Sequence, residues 1–329
     1  MIFPPTPENI ARAADLIRQG KLVAFPTETV YGLGADATND AAVQRIFEVK
    51  NRPTLNPLIV HVASLADIAS VADLEGRSDL QDKLRSLQQF WPGPLSVVLP
   101  KGKSISSFAC AGLPSVAVRI PDHAVALEFI RAAKRPIAAP SANRSSYVSP
   151  TTAQHVEAGL GAKIEMVLDG GACSVGLEST IVSLVSPNPV LLRPGAVTFE
   201  QLKAVLPELE LSRSADTPEQ PLSPGLLREH YAPSTKIVLK AKITPSEYPA
   251  RVGLISFGQI EGSEQESRYS AVNVLSQSGD LSEIASKLFA AIREQDGLGL
   301  DLIVVDSCSE VGLGRAIMDR LLRATAKFT

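Results

Sequence analysis

A chain of 329 residues is long for one domain and comfortable for two, and 45% hydrophobic with 20% charged residues supports a sizeable core and excludes a disordered chain. A net charge of −3 with a pI near 5.9 excludes a global basic field for nucleic acid or anionic membrane, so any RNA contact needs a local patch. Cys110, Cys173 and Cys308 lie far apart, the N-terminus has no basic-then-apolar signal, and no apolar run approaches about 18 residues; the expectation is a cytoplasmic protein without disulfide framework, zinc knuckle or membrane span.

Thr6-Pro7-Glu8 predicts a helix start, with a capping hydroxyl, an early proline and an acid at the positive dipole end. Ala11, Ala14, Leu16 and Ile17 form its predicted apolar stripe, and Gly20 ends it. A strand over 22–25 leaves through Pro26-Thr27-Glu28-Thr29, and Gly32-Leu33-Gly34 reads as a turn. A helix over 40–49, capped near Asn39, ends in Lys50-Asn51-Arg52-Pro53, and a strand over 58–62 carries His61. A helix is expected from Ser64. Ser78-Asp79-Leu80-Gln81 reads as a capping box opening another, which runs to Phe90 before Trp91-Pro92-Gly93-Pro94 breaks it.

Strands follow over 95–99 and 115–120; in the second, Val116, Val118 and Ile120 share one face and Ser115, Ala117 and Arg119 the other. A helix over 123–134, a strand over 136–139 ending at Pro140-Ser141-Ala142-Asn143, and a helix near Thr151 come next. Strands over 179–185 and 190–193 form a predicted hairpin, and Thr198-Phe199-Glu200-Gln201 is a second capping box. Residues 209–234 read as a Ser-, Pro- and acid-rich linker between a domain over 1–208 and a smaller parallel α/β domain over 235–329. In the latter, strands are predicted over 236–239, 252–257, 271–275 and 302–305, and helices over 281–294 and 315–326.

Two readings stand for Lys50 and Arg52: favourable charge at a helix C-terminus, or two cations held toward a phosphate chain by the rigid Arg52-Pro53 and Asn56-Pro57 segment. Arg119 either snorkels at a sheet edge or presents a fork to a carboxylate or phosphate, with Ser115 on its face and small Ala117 leaving room between them. Ser141 and Asn143 follow a strand end, where turn formation and ligand binding are both at home. Ser149 reads equally as a helix cap, Ser179 and Thr180 as ordinary strand residues, and a lone His61 in an apolar strand as a core residue. No zinc ligand spacing, P-loop or nucleophile elbow is present.

Together, Pro26-Thr27-Glu28-Thr29-Val30-Tyr31-Gly32-Leu33, Lys50-x-Arg52, Asn56-Pro57-Leu58, the strand ending in His61, Ser141-x-Asn143, Leu177-Glu178-Ser179-Thr180-Ile181 and Leu192-Arg193-Pro194-Gly195 resemble the YrdC-like family. The island Ser223-Pro224-Gly225 … His230-Tyr231-Ala232-Pro233 and the trailing α/β segment resemble its two-domain form, the L-threonylcarbamoyladenylate synthases. The resemblance implies a twisted, open, mixed α/β sheet with a concave basic basin, plus a smaller C-terminal Rossmann-like α/β domain. It implies formation of L-threonylcarbamoyl-AMP and pyrophosphate from L-threonine, bicarbonate and ATP with Mg²⁺, for threonylcarbamoyladenosine in tRNAs reading ANN codons.

By that resemblance Lys50 and Arg52 are catalytic. They also bind ATP, together with Asn56, Ser115, Ser141, Asn143, Ser149, Arg193 and the lid residue Tyr231. L-Threonine is expected at Thr29, His61, Arg119, Ala139 and Ser179. No protein-built metal site is implied, and the implied partners are downstream tRNA-modification proteins and a weak contact with tRNA or double-stranded RNA. Competing readings are an RNA-binding module, a related carbamoyl-transfer enzyme and an inactive paralogue; the net charge argues against the first and the retained Lys-x-Arg and Ser-x-Asn against the last.

Overall fold

The computed structural model describes residues 1–212, 230–260 and 268–328. Its larger sheet has the strand order β1 (Ile2–Phe3), β8 (Met166–Leu168), β2 (Val23–Phe25), β3 (Gly32–Asp36), β7 (Ile137–Ala138), β4 (Ile59–His61), β6 (Ser115–Arg119), β5 (Leu95–Pro100), β9 (Thr180–Ser183), β10 (Val190–Arg193) and β11 (Glu210–Leu211). Parallel and antiparallel pairs mix along it: β4 and β6 run parallel, while β7 lies between β3 and β4 and is antiparallel to both.

The pleat divides the side chains between two faces. Leu33, Ala35, Val60, Val116, Val118 and Val97 point into the main core with helix α2 (Asp40–Lys50). On the opposite face Val23, Phe25, Ile137 and Ala139 are covered by helices α1 (Pro7–Arg18) and α5 (Ala124–Ala133). Further along that face only a small apolar cluster remains, Ile59, Val98, Ala117, Ile181 and Leu192. Beside it stand His61 and Arg119, which are register partners across β4 and β6. The second face is therefore part core and part basin.

The smaller sheet has β12 (Ile237–Leu239), β15 (Leu302–Val305), β13 (Val252–Ser256) and β14 (Ala271–Val274) in that order, all parallel. Helices α8 (Leu281–Asp296) and α9 (Leu313–Thr325) pack on it. Its core is continuous with Val30, Val148 and Leu177 of the larger unit, so the two sheets share apolar packing. Among the described residues no helix is long and apolar enough to cross a membrane.

Several expectations change. Gly32-Leu33-Gly34 is buried strand, not turn: a Cβ on Gly34 would sit 2.9 Å from Ile137 Cγ2 and 3.0 Å from Phe25 Cε1, so the glycines serve close approach. Ala11 is exposed, and Ile10 and Ala13 take its place in the buried stripe of α1. Ser78 is the first residue of α4 (Ser78–Leu87) rather than its cap; Arg77 holds the cap position and the expected capping box does not form. The helix expected from Ser64 is a short 3-10 turn followed by α3 (Ile68–Val71). The Thr198 capping box on α7 (Phe199–Val205) and the β9–β10 hairpin are present as expected. The pairing strands β1, β8 and β11 went unread; they are two or three residues long, too short for a periodic signal. Residues 223–229 of the linker island lie outside the described residues.

Candidate active site

The turn after β2 is tied by Thr27, whose hydroxyl accepts from the N–H groups of Thr29 and Val30 at 3.2 Å each and donates to the Val30 carbonyl at 2.6 Å. This turn sets Thr29 Oγ1 2.8 Å from Thr27 Oγ1 and places Glu28 beneath Arg119. Arg119 Nη2 and Glu28 Oε1 are 2.6 Å apart, both buried, and the contact is an ion pair rather than an aligned hydrogen bond. Arg119 Nε donates to the Gly93 carbonyl at 3.3 Å. The fork expected to stand open is thus already neutralised from below by Glu28, a residue the sequence reading quoted but did not assign.

Helix α2 ends at Lys50, and Asn51 caps it in the left-handed region at φ 51°. That reversal sends Lys50 and Arg52 in different directions. Lys50 is fully buried, and its ammonium donates to the carbonyls of Ser141 at 2.6 Å and Asn143 at 2.5 Å. Burial, then repulsion from Arg52, pushes its pKa well below the ordinary lysine value. Arg52 faces the basin and donates to the carbonyls of Asn56 and Pro57 at 3.3 and 3.1 Å. From β10, Arg193 donates to the Ser179 carbonyl at 3.0 Å and its hydroxyl at 3.2 Å. Ser179 Oγ also lies 2.8 Å from Ser96 Oγ.

These groups enclose a cavity of about 50 Å³. All five residues expected around threonine line it: Thr29, His61, Arg119, Ala139 and Ser179. Of the expected nucleotide residues, Arg52, Ser141, Arg193 and Tyr231 line it, whereas Lys50, Asn56, Ser115, Asn143 and Ser149 do not. Asn143 instead bonds the carbonyls of Arg144 and Tyr147, holding its loop, and Ser149 donates to Glu178 Oε1 at 2.5 Å. Both side-chain polar atoms of Asn56 are buried without a hydrogen-bond partner among the described residues.

Electrostatically the cavity is cationic, with Arg52, Arg119 and Arg193 in its lining. Arg52 is buried and donates to carbonyls; burial lowers its pKa to about 10, Tyr231 opposes that shift, and nearby Arg193 adds to it. Burial, and secondarily Arg119, holds His61 near 3, so its imidazole is neutral, edge-on to Phe25 at 5.8 Å. His230 is driven well below its ordinary value by burial and then by Arg52, Lys50, Arg193 and Arg320. Buried guanidinium groups that bond carbonyl oxygens are suited to an anionic ligand. Glu178 is the carboxylate on the cavity wall.

The roof comes from His230 and Tyr231, with Tyr231 at φ 63°, its ring stacked on Phe289 at 5.6 Å and its hydroxyl buried without a partner among the described residues. Ala232 N–H bonds the Ser146 carbonyl at 3.0 Å, which ties this segment to the loop behind Asn143. Sequence reading missed Glu28, Glu178, His230 and Arg320 as parts of the site. The first three lay inside quoted motifs; Arg320, in a helix over 100 residues away, gave no local signal.

Fold and cavity together define an α/β enzyme-type pocket lined by cations and roofed by the segment that leads into a second α/β unit. The family model described as "Telomere recombination" (Sua5, YciO and YrdC) matches residues 15–195, and that described as "Threonylcarbamoyl-AMP synthase, C-terminal domain" matches residues 197–326. The chain is 41% identical to threonylcarbamoyl-AMP synthase of Pyrococcus abyssi over 96% of its own length and 94% of that protein. It is 42% identical to the Bacillus subtilis protein of the same name over 96% of this chain and 92% of that one. A crystal structure of P. abyssi Sua5 complexed with L-threonine superposes with a TM-score of 0.89 at 39% identity, covering 99% of this chain and 97% of that one. The chain belongs to the threonylcarbamoyl-AMP synthase family of enzymes, in its two-domain form.

Proposed function

We propose that this protein forms L-threonylcarbamoyl-AMP and pyrophosphate from L-threonine, bicarbonate and ATP in the cytoplasm, as the activated intermediate for threonylcarbamoyladenosine in tRNAs reading ANN codons. Its working parts are a catalytic domain over 1–208, a linker and lid over 209–234 and a C-terminal domain over 235–329. The observation that carries the reading is a buried guanidinium pair, Arg52 and Arg193, facing one cavity that also holds Arg119, Thr29, His61 and Ser179.

In this reading Arg119, positioned by Glu28, grips the threonine carboxylate, while Thr29 and Ser179 supply hydroxyls and Ala139 leaves space. His61, with a pKa near 3, is far too weak a base to deprotonate an amine at neutral pH and acts as a neutral wall. Bicarbonate loses water to give CO₂, the neutral threonine amine adds to its carbon and gives up an N–H proton to solvent, and one oxygen of the resulting carbamate attacks the α-phosphorus as the bond to pyrophosphate breaks. Negative charge grows on the departing pyrophosphate, where Arg52 and Arg193 stand, so electrostatic stabilisation and alignment carry the chemistry. Lys50, Ser141 and Asn143 hold the backbone wall beside the nucleotide, with Asn56, Ser115 and Ser149 around it.

Mg²⁺ belongs to the nucleotide substrate here. Glu28 and Glu178 are both engaged by arginines, which leaves the ion to the phosphate oxygens in this reading. A cavity of about 50 Å³ is well below the ~300 Å³ of ordinary small-molecule sites, so ATP entry requires Tyr231 and His230 to move as a lid. Downstream tRNA-modification proteins are the expected takers of the product, with at most weak direct tRNA contact. Pyrophosphate release from ATP, measured with threonine and bicarbonate omitted in turn, tests the reading. Dependence on both is the expected result, and release indifferent to either omission overturns it.

A further inference from the structure

Arg320 lies in α9 of the smaller unit, 1% exposed, and is the largest fully buried side chain. It reaches out of its own domain. Its Nε donates to Glu178 Oε2 at 2.8 Å, and Nη2 donates to the Pro194 carbonyl at 3.1 Å and the Glu178 carbonyl at 3.4 Å. Nη1 is anchored at home by Asp319 Oδ2 at 2.6 Å. The guanidinium also sits 5.3 Å from the centre of the Tyr231 ring, which roofs the cavity. One side chain thus touches the segment before Ser179, the segment after Arg193, and the lid.

Glu178 is the group that makes this arrangement matter. Its carboxylate is buried on the wall of a cavity otherwise suited to a polyanion, and its two oxygens are occupied by Arg320 Nε and Ser149 Oγ. Burial alone would raise the Glu178 pKa; Arg320 first, then Arg193, outweigh it and hold the carboxyl ionised below its ordinary value. A buried carboxylate stripped of its partner is an uncompensated negative charge, here on the wall of a cavity suited to a polyanion. The same charge acts on Arg193, which also bonds Ser179. The smaller unit is pressed close at this point: a Cβ on Gly176, at φ 74°, would lie 2.5 Å from the Ala285 carbonyl.

We propose that Arg320 is a positioning residue for the nucleotide site: it neutralises Glu178, which keeps an uncompensated negative charge off the wall that faces the triphosphate, and it holds Tyr231 over the cavity. The smaller unit therefore contributes to substrate binding through this guanidinium. This inference rests on the reading of the cavity as an ATP site.

The test measures ATP binding at equilibrium and the KM values for ATP and threonine in the full-length protein. Arg320→Met is expected to raise the ATP Kd and KM by about tenfold or more, with the threonine KM changed less than threefold. The double variant Arg320→Met/Glu178→Gln removes the stranded carboxylate and is expected to recover most of the lost ATP affinity. Arg320→Lys, which keeps the charge but not the fork, should fall between and serves if the methionine variant fails to fold. An ATP Kd within twofold of the parent in Arg320→Met, or in Arg320→Lys if only that variant folds, overturns the proposal. So does a parallel rise of both KM values with no rescue by Glu178→Gln. A parent protein that binds no ATP refutes the functional reading itself, a result distinct from either.

Discussion

The ammonium of Lys50 and the carbonyl of Ser141, 91 positions apart in sequence, are joined by a hydrogen bond of 2.6 Å. The Lys-x-Arg and Ser-x-Asn elements are therefore one physical unit: the lysine bonds both serine and asparagine carbonyls, and the arginine two residues on faces the cavity.

This division predicts different outcomes at the two cations. Lys50→Met leaves two buried carbonyls without their donor and should lower stability by about 1–3 kcal/mol while also reducing ATP use. Arg52→Met loses bonds to Asn56 and Pro57 but relieves burial of a charge and repulsion from Arg193, so stability should stay within about 1 kcal/mol. Pyrophosphate release should fall on the order of a hundredfold. Urea unfolding beside the release assay checks both; equal destabilisation by the two substitutions contradicts the division.

Acidification should destabilise the protein, and histidine is the cause. All four histidines have pKa values below the ordinary one, chiefly through burial: His61 near 3, His155 near 4, and His123 and His230 lowered. Below pH 6.5 the unfolded chain takes up protons that the folded chain refuses, so stability falls as pH drops from 6.5 toward those folded values. A fully buried histidine contributes up to about 1.4 kcal/mol per pH unit in that window. Urea unfolding at pH 7.5, 6.5 and 5.5 should show the decline, and His61→Gln should flatten it by about one proton. An unchanged slope in that variant would place His61 outside the effect.

Gly195 is held by backbone. A Cβ there would lie 2.3 Å from the Thr180 amide nitrogen and 2.7 Å from the Ser179 carbonyl carbon, atoms that cannot swing aside. Gly195→Ala should cost about 1–3 kcal/mol and displace Ser179 from Arg193. Thermal unfolding and the threonine KM read both effects; a neutral substitution would show that β9 yields at no cost.

Tyr231 separates packing from hydroxyl chemistry. Its hydroxyl is buried without a partner among the described residues, and burial pushes its pKa up to about 12. Tyr231→Phe should therefore leave stability unchanged or raise it by about 1 kcal/mol, because no bond to the described residues is lost. If the hydroxyl meets the nucleotide, the ATP KM rises in the same variant. Tyr231→Ala should lose stability through the gap left against Phe289 and Arg320. A stability loss in Tyr231→Phe would reveal a bond that the folded protein makes.

Much of the secondary structure was legible because local signals agree with the fold. Thr6 and Asn39 cap α1 and α2, the Thr198 box opens α7, and alternation across residues 115–120 puts Ala117 and Arg119 on one face. The C-terminal strands and helices also stand close to their predicted spans. Gly32-Leu33-Gly34 misread as turn because glycine signals backbone freedom and close approach alike, and only Phe25 and Ile137 across the sheet reveal which. Ser78 misread as a cap because the box pattern does not say which residue leaves the helix.

Residue types and their order by themselves determined most helices, the longer strands and the family, since caps, periodicity and motifs act over a few residues of chain. Tertiary structure alone decided what each charge does. Glu28 meets Arg119 only when the turn after β2 folds over β6, and Glu178 meets Arg320 only when the second unit docks. Burial is a property of the packed molecule, and it is burial that lowered the pKa of Arg52, kept His61 neutral, and made Lys50 a clamp on the backbone.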